Sequence, residues 1–205
     1  MHPNPATDPY SSLSGVIFLD EKLEMLQSRI TRIGESSRKS SNLTRLQKAA
    51  LQLVPASASI AKSIRQMIKD GYLLSAMILF RHLIERIATL SYLREHQEAV
   101  DLWEAGWPHG QRASLRKRLA TLIPGASEEI LSRFGDAVAK YNSLIHGDPL
   151  AAQQGLIKLS ENDVVYVSDR DYVTLIRAGS IALETAIAVV FLIVMIDAIF
   201  PDTKT

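Results

Sequence analysis

Apolar residues recur at three- and four-residue steps along most of this chain, the spacing that lines one face of an α-helix. From Phe18 to Ile33 they fall at Leu19, Leu23, Leu26, Ile30 and Ile33. Asp20 and Glu21 occupy the first turn, where carboxylates suit the helix dipole. SSRKSSN, Ser36 to Asn42, is a polar break. A second helix is predicted from about Leu43 to Val54, stopped by Pro55, and another from Ser57 or Ser59 to about Lys69, ended by Gly71. LLSAMILFRHLIERIATLSYLREH, Leu73 to His96, gives the longest of these helices. It is apolar over most of its circumference, which predicts a place at the centre of a bundle.

The second half is more broken. DLWEAGWPHGQ reads as a loop, with Gly106, Pro108 and Gly110, and SLRKRLATLIPG as a short basic helix ended by Pro124-Gly125. Ser127, Glu128 and Glu129 open a helix that runs through Phe134 and Val138 to about His146, closed by Gly147 and Pro149. In GLIKLSENDVVYVSD two β-rich runs flank Ser160–Asp163, a turn composition, so a β-hairpin is predicted. The last helix spans about Arg170 to Phe200. The expected fold is therefore all-α: a helical bundle with long central helices and a small β-hairpin inserted before the C-terminal helix. A tail over residues 1–16 precedes a single domain over 17–201.

Composition narrows this picture. At 205 residues, 47% of them hydrophobic, the chain can build one sizeable core. Its 23 basic and 22 acidic residues leave no overall field to attract nucleic acid or membrane, so any such attraction must be local. The absence of cysteine excludes disulfides and thiolate metal sites. MHPNPATDPYSS has three prolines and no apolar run, unlike a signal or transit peptide, and a cytoplasmic location follows. AIAVVFLIVMIDAIF, Ala186 to Phe200, tests that reading. Its unbroken apolar run is about half of the ~20 residues a span needs, which favours a buried core helix over a membrane segment.

Charge placed on apolar faces marks the candidate chemistry. At about 100° per residue, Leu73, Phe80, Ile84 and Ile87 share one side of the central helix, and His82, Arg86 and Thr89 lie opposite, toward water. Arg81 and Glu85 fall between, in line with Leu74, Ile78 and Tyr92. Charges on such a flank are costly unless paired and hydrogen-bonded. Either they form an intrahelical ion pair that fixes helix packing, or they line a polar cleft in which Arg81 holds a phosphate or carboxylate. In KYNSLIHGD, Lys140 to Asp148, Asn142 and His146 are four apart and share a face. His146 either caps the last turn or acts as a general acid or base, its tautomer fixed by Asn142, Glu85 or Asp148. The basic run Arg112, Arg116, Lys117 and Arg118 is a solvated helix face or a contact for RNA phosphates. Trp103 and Trp107 plug the core beneath their loop or stack on a base. The histidines are scattered, with no metal-ligand spacing, and no metal or other cofactor is expected.

SAMILFRHLIERIATLSYL followed by YNSLIHGDP resembles a group of uncharacterised bacterial all-helical domains that is similar to the HEPN superfamily. The resemblance covers roughly Ser75 to Asp148, and a HEPN-like portion of about 57–200 is drawn from it. It implies a helical bundle, often dimeric, of toxin–antitoxin and phage-defence systems, with RNA, a second copy or a cognate antitoxin as partner. Active members are metal-independent endoribonucleases whose motif is arginine, a polar residue, three further residues and histidine. Asn142 and His146 match it; Tyr141 stands at the arginine position, with Lys140 before it. A tyrosine hydroxyl is a poor substitute for a guanidinium on a phosphate that gains charge. Arg81 is then the candidate phosphate holder, with Glu85, Asn142 and His146 as catalytic partners and Lys140, Tyr141, Arg116 and Arg118 as substrate contacts. Without that rescue the domain binds rather than cuts. The competing reading is a non-catalytic helical scaffold in which both pairs only orient helices.

Overall fold

The computed structural model describes residues 8–39, 42–125, 127–129, 132, 135–136, 139, 141–143, 156–158, 164–166, 170 and 174–201. Within these residues the architecture is helical. Four long helices, α1 (Ser14–Lys39), α2 (Arg45–Lys69), α3 (Leu73–Glu95) and α6 (Leu175–Ile199), pack together. The short α4 (Ala99–Glu104) touches α2, and α5 (Leu115–Ala120) lies on α3. Leu156–Lys158 (β1) and Val164–Tyr166 (β2) pair antiparallel, with Ile157 opposite Val165. The turn expected at Ser160–Asp163 lies outside the described residues.

The apolar periodicity explains which side of each helix is packed. Leu19, Leu23, Leu26 and Ile33 are buried along α1, and Leu53, Ile64 and Ile68 along α2. Residues 8–16, expected in the tail, are held in place. Tyr10 is fully buried, and Asp8 joins Asp20 in an ion-pair group around Arg65. Nor does α1 end at Ser36: the polar stretch continues it to Lys39, because an exposed last turn tolerates polar residues.

Pro55 was expected to end a helix, but it lies inside α2. Proline removes one i to i−4 bond, whose other half is the Leu51 carbonyl. The helix survives because Leu53, Val54, Ser57 and Ala58 are buried on either side of the exposed proline. Thr44 and Gln47 form a reciprocal cap at its start. At its end the Gly71 and Tyr72 amides bond the Ile68 and Met67 carbonyls, with Gly71 at φ +78°. The loop predicted over 101–111 begins inside α4, which is closed by the same device at Gly106.

α6 is long and apolar enough to cross a membrane, and 56% of its most apolar stretch is buried within the molecule. It packs on α1, α2 and α3, as a core helix does. At its crossing with α1 a Cβ on Gly15 would collide with the Gly179 carbonyl oxygen, so only glycine permits that approach.

Candidate functional site

The polar cluster grows from α3. Arg81 and Glu85 sit one turn apart, and the Arg81 guanidinium donates to Glu85 Oε2 at 2.9 Å. Arg81 Nε also donates to Asn142 Oδ1, at 2.7 Å, tying α3 to a segment 61 residues further on. From α5, Arg118 donates to Glu85 Oε1 at 3.0 Å and to Thr89 Oγ1 at 2.6 Å, while its Nε reaches the Ala113 carbonyl. Arg112, in the loop before α5, closes the group with a charge-assisted bond to the same Glu85 oxygen.

One carboxylate thus faces three guanidiniums of graded exposure. The Arg118 side chain is 3% exposed, Arg81 13% and Arg112 51%. Burial pushes the Glu85 carboxyl upward, but the Arg118 hydrogen bond and the charges of Arg81, Arg118 and Arg112 outweigh it and hold it below its ordinary value. Burial pulls Arg118 below its ordinary value, opposed by its bond to Glu85. The cluster carries three positive charges and one negative, and Arg112 opens it to water. Such a site suits an anion with several oxygens, phosphate above all.

Arg81, Glu85 and Asn142 therefore meet, as candidates on two helical segments must if they share a site. His146 and Lys140 lie outside the described residues. Tyr141 takes a different place. Its ring packs on Phe80, with centroids 5.1 Å apart, and its hydroxyl donates to Glu184 on α6. Burial, reinforced by Glu184, raises the phenol far above its ordinary value, so it stays protonated. At 6% exposure it is a support for the segment rather than a surface on which substrate rests.

The basic run divides. Arg116 is exposed and pairs with Glu128 at 2.9 Å, and the Lys117 ammonium lies 5.8 Å from the Tyr92 ring centroid. Arg118, expected on a solvated face or as a contact for RNA phosphates, points inward because the Ser114-capped α5 docks on α3. Thr89, expected to face water, is buried for the same reason, whereas His82 and Arg86 are exposed. Trp103 and Trp107 pack against the core. Arg112 belongs to the cluster although its loop position gave no such signal. Among the described residues, no three of His, Asp and Glu gather as a metal cage.

These features define an all-helical protein with a polar, arginine-rich cluster between α3, α5 and the segment bearing Asn142. A family model described as a family of unknown function (DUF5677) matches residues 47–155, from α2 through that segment, and the chain belongs to this family. No curated protein and no solved structure matches the chain.

Proposed function

We propose that this chain is a HEPN-like RNA-binding protein in which Arg81 and Arg112 grip an RNA phosphate and His146 serves as acid/base at a degenerate ribonuclease site. The supporting observation is the 2.7 Å contact from Arg81 to Asn142. It brings a guanidinium to Asn142, from which the sequence counts four residues to His146 and where the motif itself has only Tyr141. The cation enters from another helix, and its excess positive charge matches what an RNA backbone presents. A role in phage defence or as a toxin belongs to the same reading. The non-catalytic scaffold remains the second reading, favoured by the full pairing of Arg118 and Glu85.

Fluorescence anisotropy with a labelled single-stranded RNA, and gel analysis of its integrity in EDTA, test the proposal. Wild-type protein binds and cleaves without metal. His146→Ala retains binding and its helical circular dichroism but loses cleavage, and Arg81→Ala loses both. Binding without cleavage reduces the protein to an RNA-binding relative, and no binding at all leaves the scaffold.

A further inference from the structure

The arginine cluster leaves particular donors unused. Arg81 gives its Nε to Asn142 and one terminal nitrogen to Glu85 Oε2, and Arg112 gives one terminal nitrogen to Glu85 Oε1. Among the described residues, the second terminal nitrogen of Arg81 makes no hydrogen bond, and neither do the Nε and second terminal nitrogen of Arg112. Arg118 differs. All three of its nitrogens are engaged, with Ala113, Thr89 and Glu85, and its side chain is 3% exposed. The cluster thus offers three open guanidinium nitrogens, all on its two more exposed arginines.

Glu85 sets both their spacing and their charge. Its two oxygens bridge Arg81 and Arg112, so these guanidiniums stand as far apart as one small oxyanion requires. Three guanidiniums and one carboxylate leave the group at +2. A phosphodiester inside an RNA strand carries one negative charge and two free oxygens. A terminal phosphomonoester carries about −1.5 to −2 at pH 7 and three acceptor oxygens. The monoester therefore matches the charge of the cluster and the number of open nitrogens, and the diester matches neither.

The depth of the cluster favours the same group. Arg81 is 13% exposed and Arg112 51%, so an anion that touches both enters from the Arg112 side. A strand end reaches into such a recess, whereas an internal phosphate brings chain with it on both sides. Arg112 is also able to close on what enters. Glu85 Oε1 keeps its 3.0 Å bond from Arg118 when Arg112 turns away, and Arg112 lies between Gly110, at φ +74°, and the Ser114 cap. We infer, on the RNA reading above, that the cluster is a receptor for the terminal phosphomonoester of an RNA strand, with Arg81 at its base and Arg112 as the movable cation. The end so held is an anchor and not the bond that breaks.

Anisotropy on the full chain tests this with one single-stranded RNA in three forms: 5′-phosphate, 3′-phosphate and hydroxyl at both ends. The label is placed away from the end compared, at about pH 7, where the monoester is mostly a dianion. One phosphorylated form binds at least about tenfold more tightly than the hydroxyl form, and which one it is gives the polarity of the bound strand. Inorganic phosphate competes that advantage away. Arg112→Ala, at a half-exposed side chain, keeps its circular dichroism and loses the advantage, while Arg86→Ala, exposed on the other side of α3, retains it. Equal affinity for all three RNAs overturns the end preference and leaves the RNA reading standing, whether or not any variant folds. Binding of no RNA overturns both, and a phosphothreonine peptide bound instead gives the site to protein phosphate. A folded Arg112→Ala that still prefers the phosphorylated end also overturns the receptor, for the end is then read elsewhere.

Discussion

Glu85 holds one negative charge among three guanidiniums, and removing that charge tests what the cluster contributes to the fold. Glu85→Gln leaves the 3%-exposed Arg118 side chain without its counter-charge, which should cost about 3–5 kcal/mol in urea denaturation. Arg112→Ala removes a half-exposed partner and should cost under about 1 kcal/mol. The pH dependence follows from the lowered Glu85 value. A carboxyl depressed in the fold contributes stability that is complete above its unfolded value, near ~4.3, and is lost as pH falls through the folded one. As pH falls from about 5 to 3, wild-type stability should therefore fall more steeply than that of Glu85→Gln; parallel curves would show that Glu85 does not titrate as argued. Part of this was legible: two charges four apart on an apolar flank call for partners. Which partners was not, since Arg118 lies 33 residues from Glu85 and its local run reads as a solvated face.

Single helices show where local pattern suffices and where packing overrides it. α3 follows its apolar periodicity closely, and Gly71 ends α2 where expected. Pro55 does not end a helix, because burial of the residues around it outweighs one missing hydrogen bond. Pro55→Ala should consequently stabilise the protein by about 1–3 kcal/mol, a rise of several degrees in Tm by differential scanning calorimetry. The two glycines of α1 give a sharper contrast. An added Cβ at Gly34 meets nothing within 4 Å, so Gly34→Ala should stabilise by up to about 1 kcal/mol. At Gly15 it meets the backbone of α6, and Gly15→Ala should destabilise by about 1–3 kcal/mol. Equal effects at both sites in chemical denaturation would mean that the α1–α6 crossing is looser than described.

For the molecule as a whole, 23 basic and 22 acidic residues cancel, so any RNA contact must act through a local group of charges such as the cluster. With one or two phosphates neutralised, at roughly 0.7 per phosphate for a single strand, log affinity should fall against log salt with a slope of about −0.7 to −1.4. Anisotropy titrations across a salt series measure it. A much steeper slope would mean that a broader basic surface engages RNA. The apolar C-terminal helix also acquires its meaning only at this scale. Its composition suits a membrane or a core, yet three helices cover one side of it while Ile176, Leu183, Ile187 and Val194 stay exposed.

The sequence by itself determined the helical class, the span of α3 and the packed side of α1. Periodic apolar residues, caps and glycine stops act on the nearest turns of backbone, and local terms suffice for them. Tertiary structure alone decided that Arg118 and Thr89 turn inward, that Asn142 meets Arg81 and that α2 runs through its proline. Each depends on a partner tens of residues away, and the free energy of burying a charge or a hydroxyl is set by whether that partner arrives.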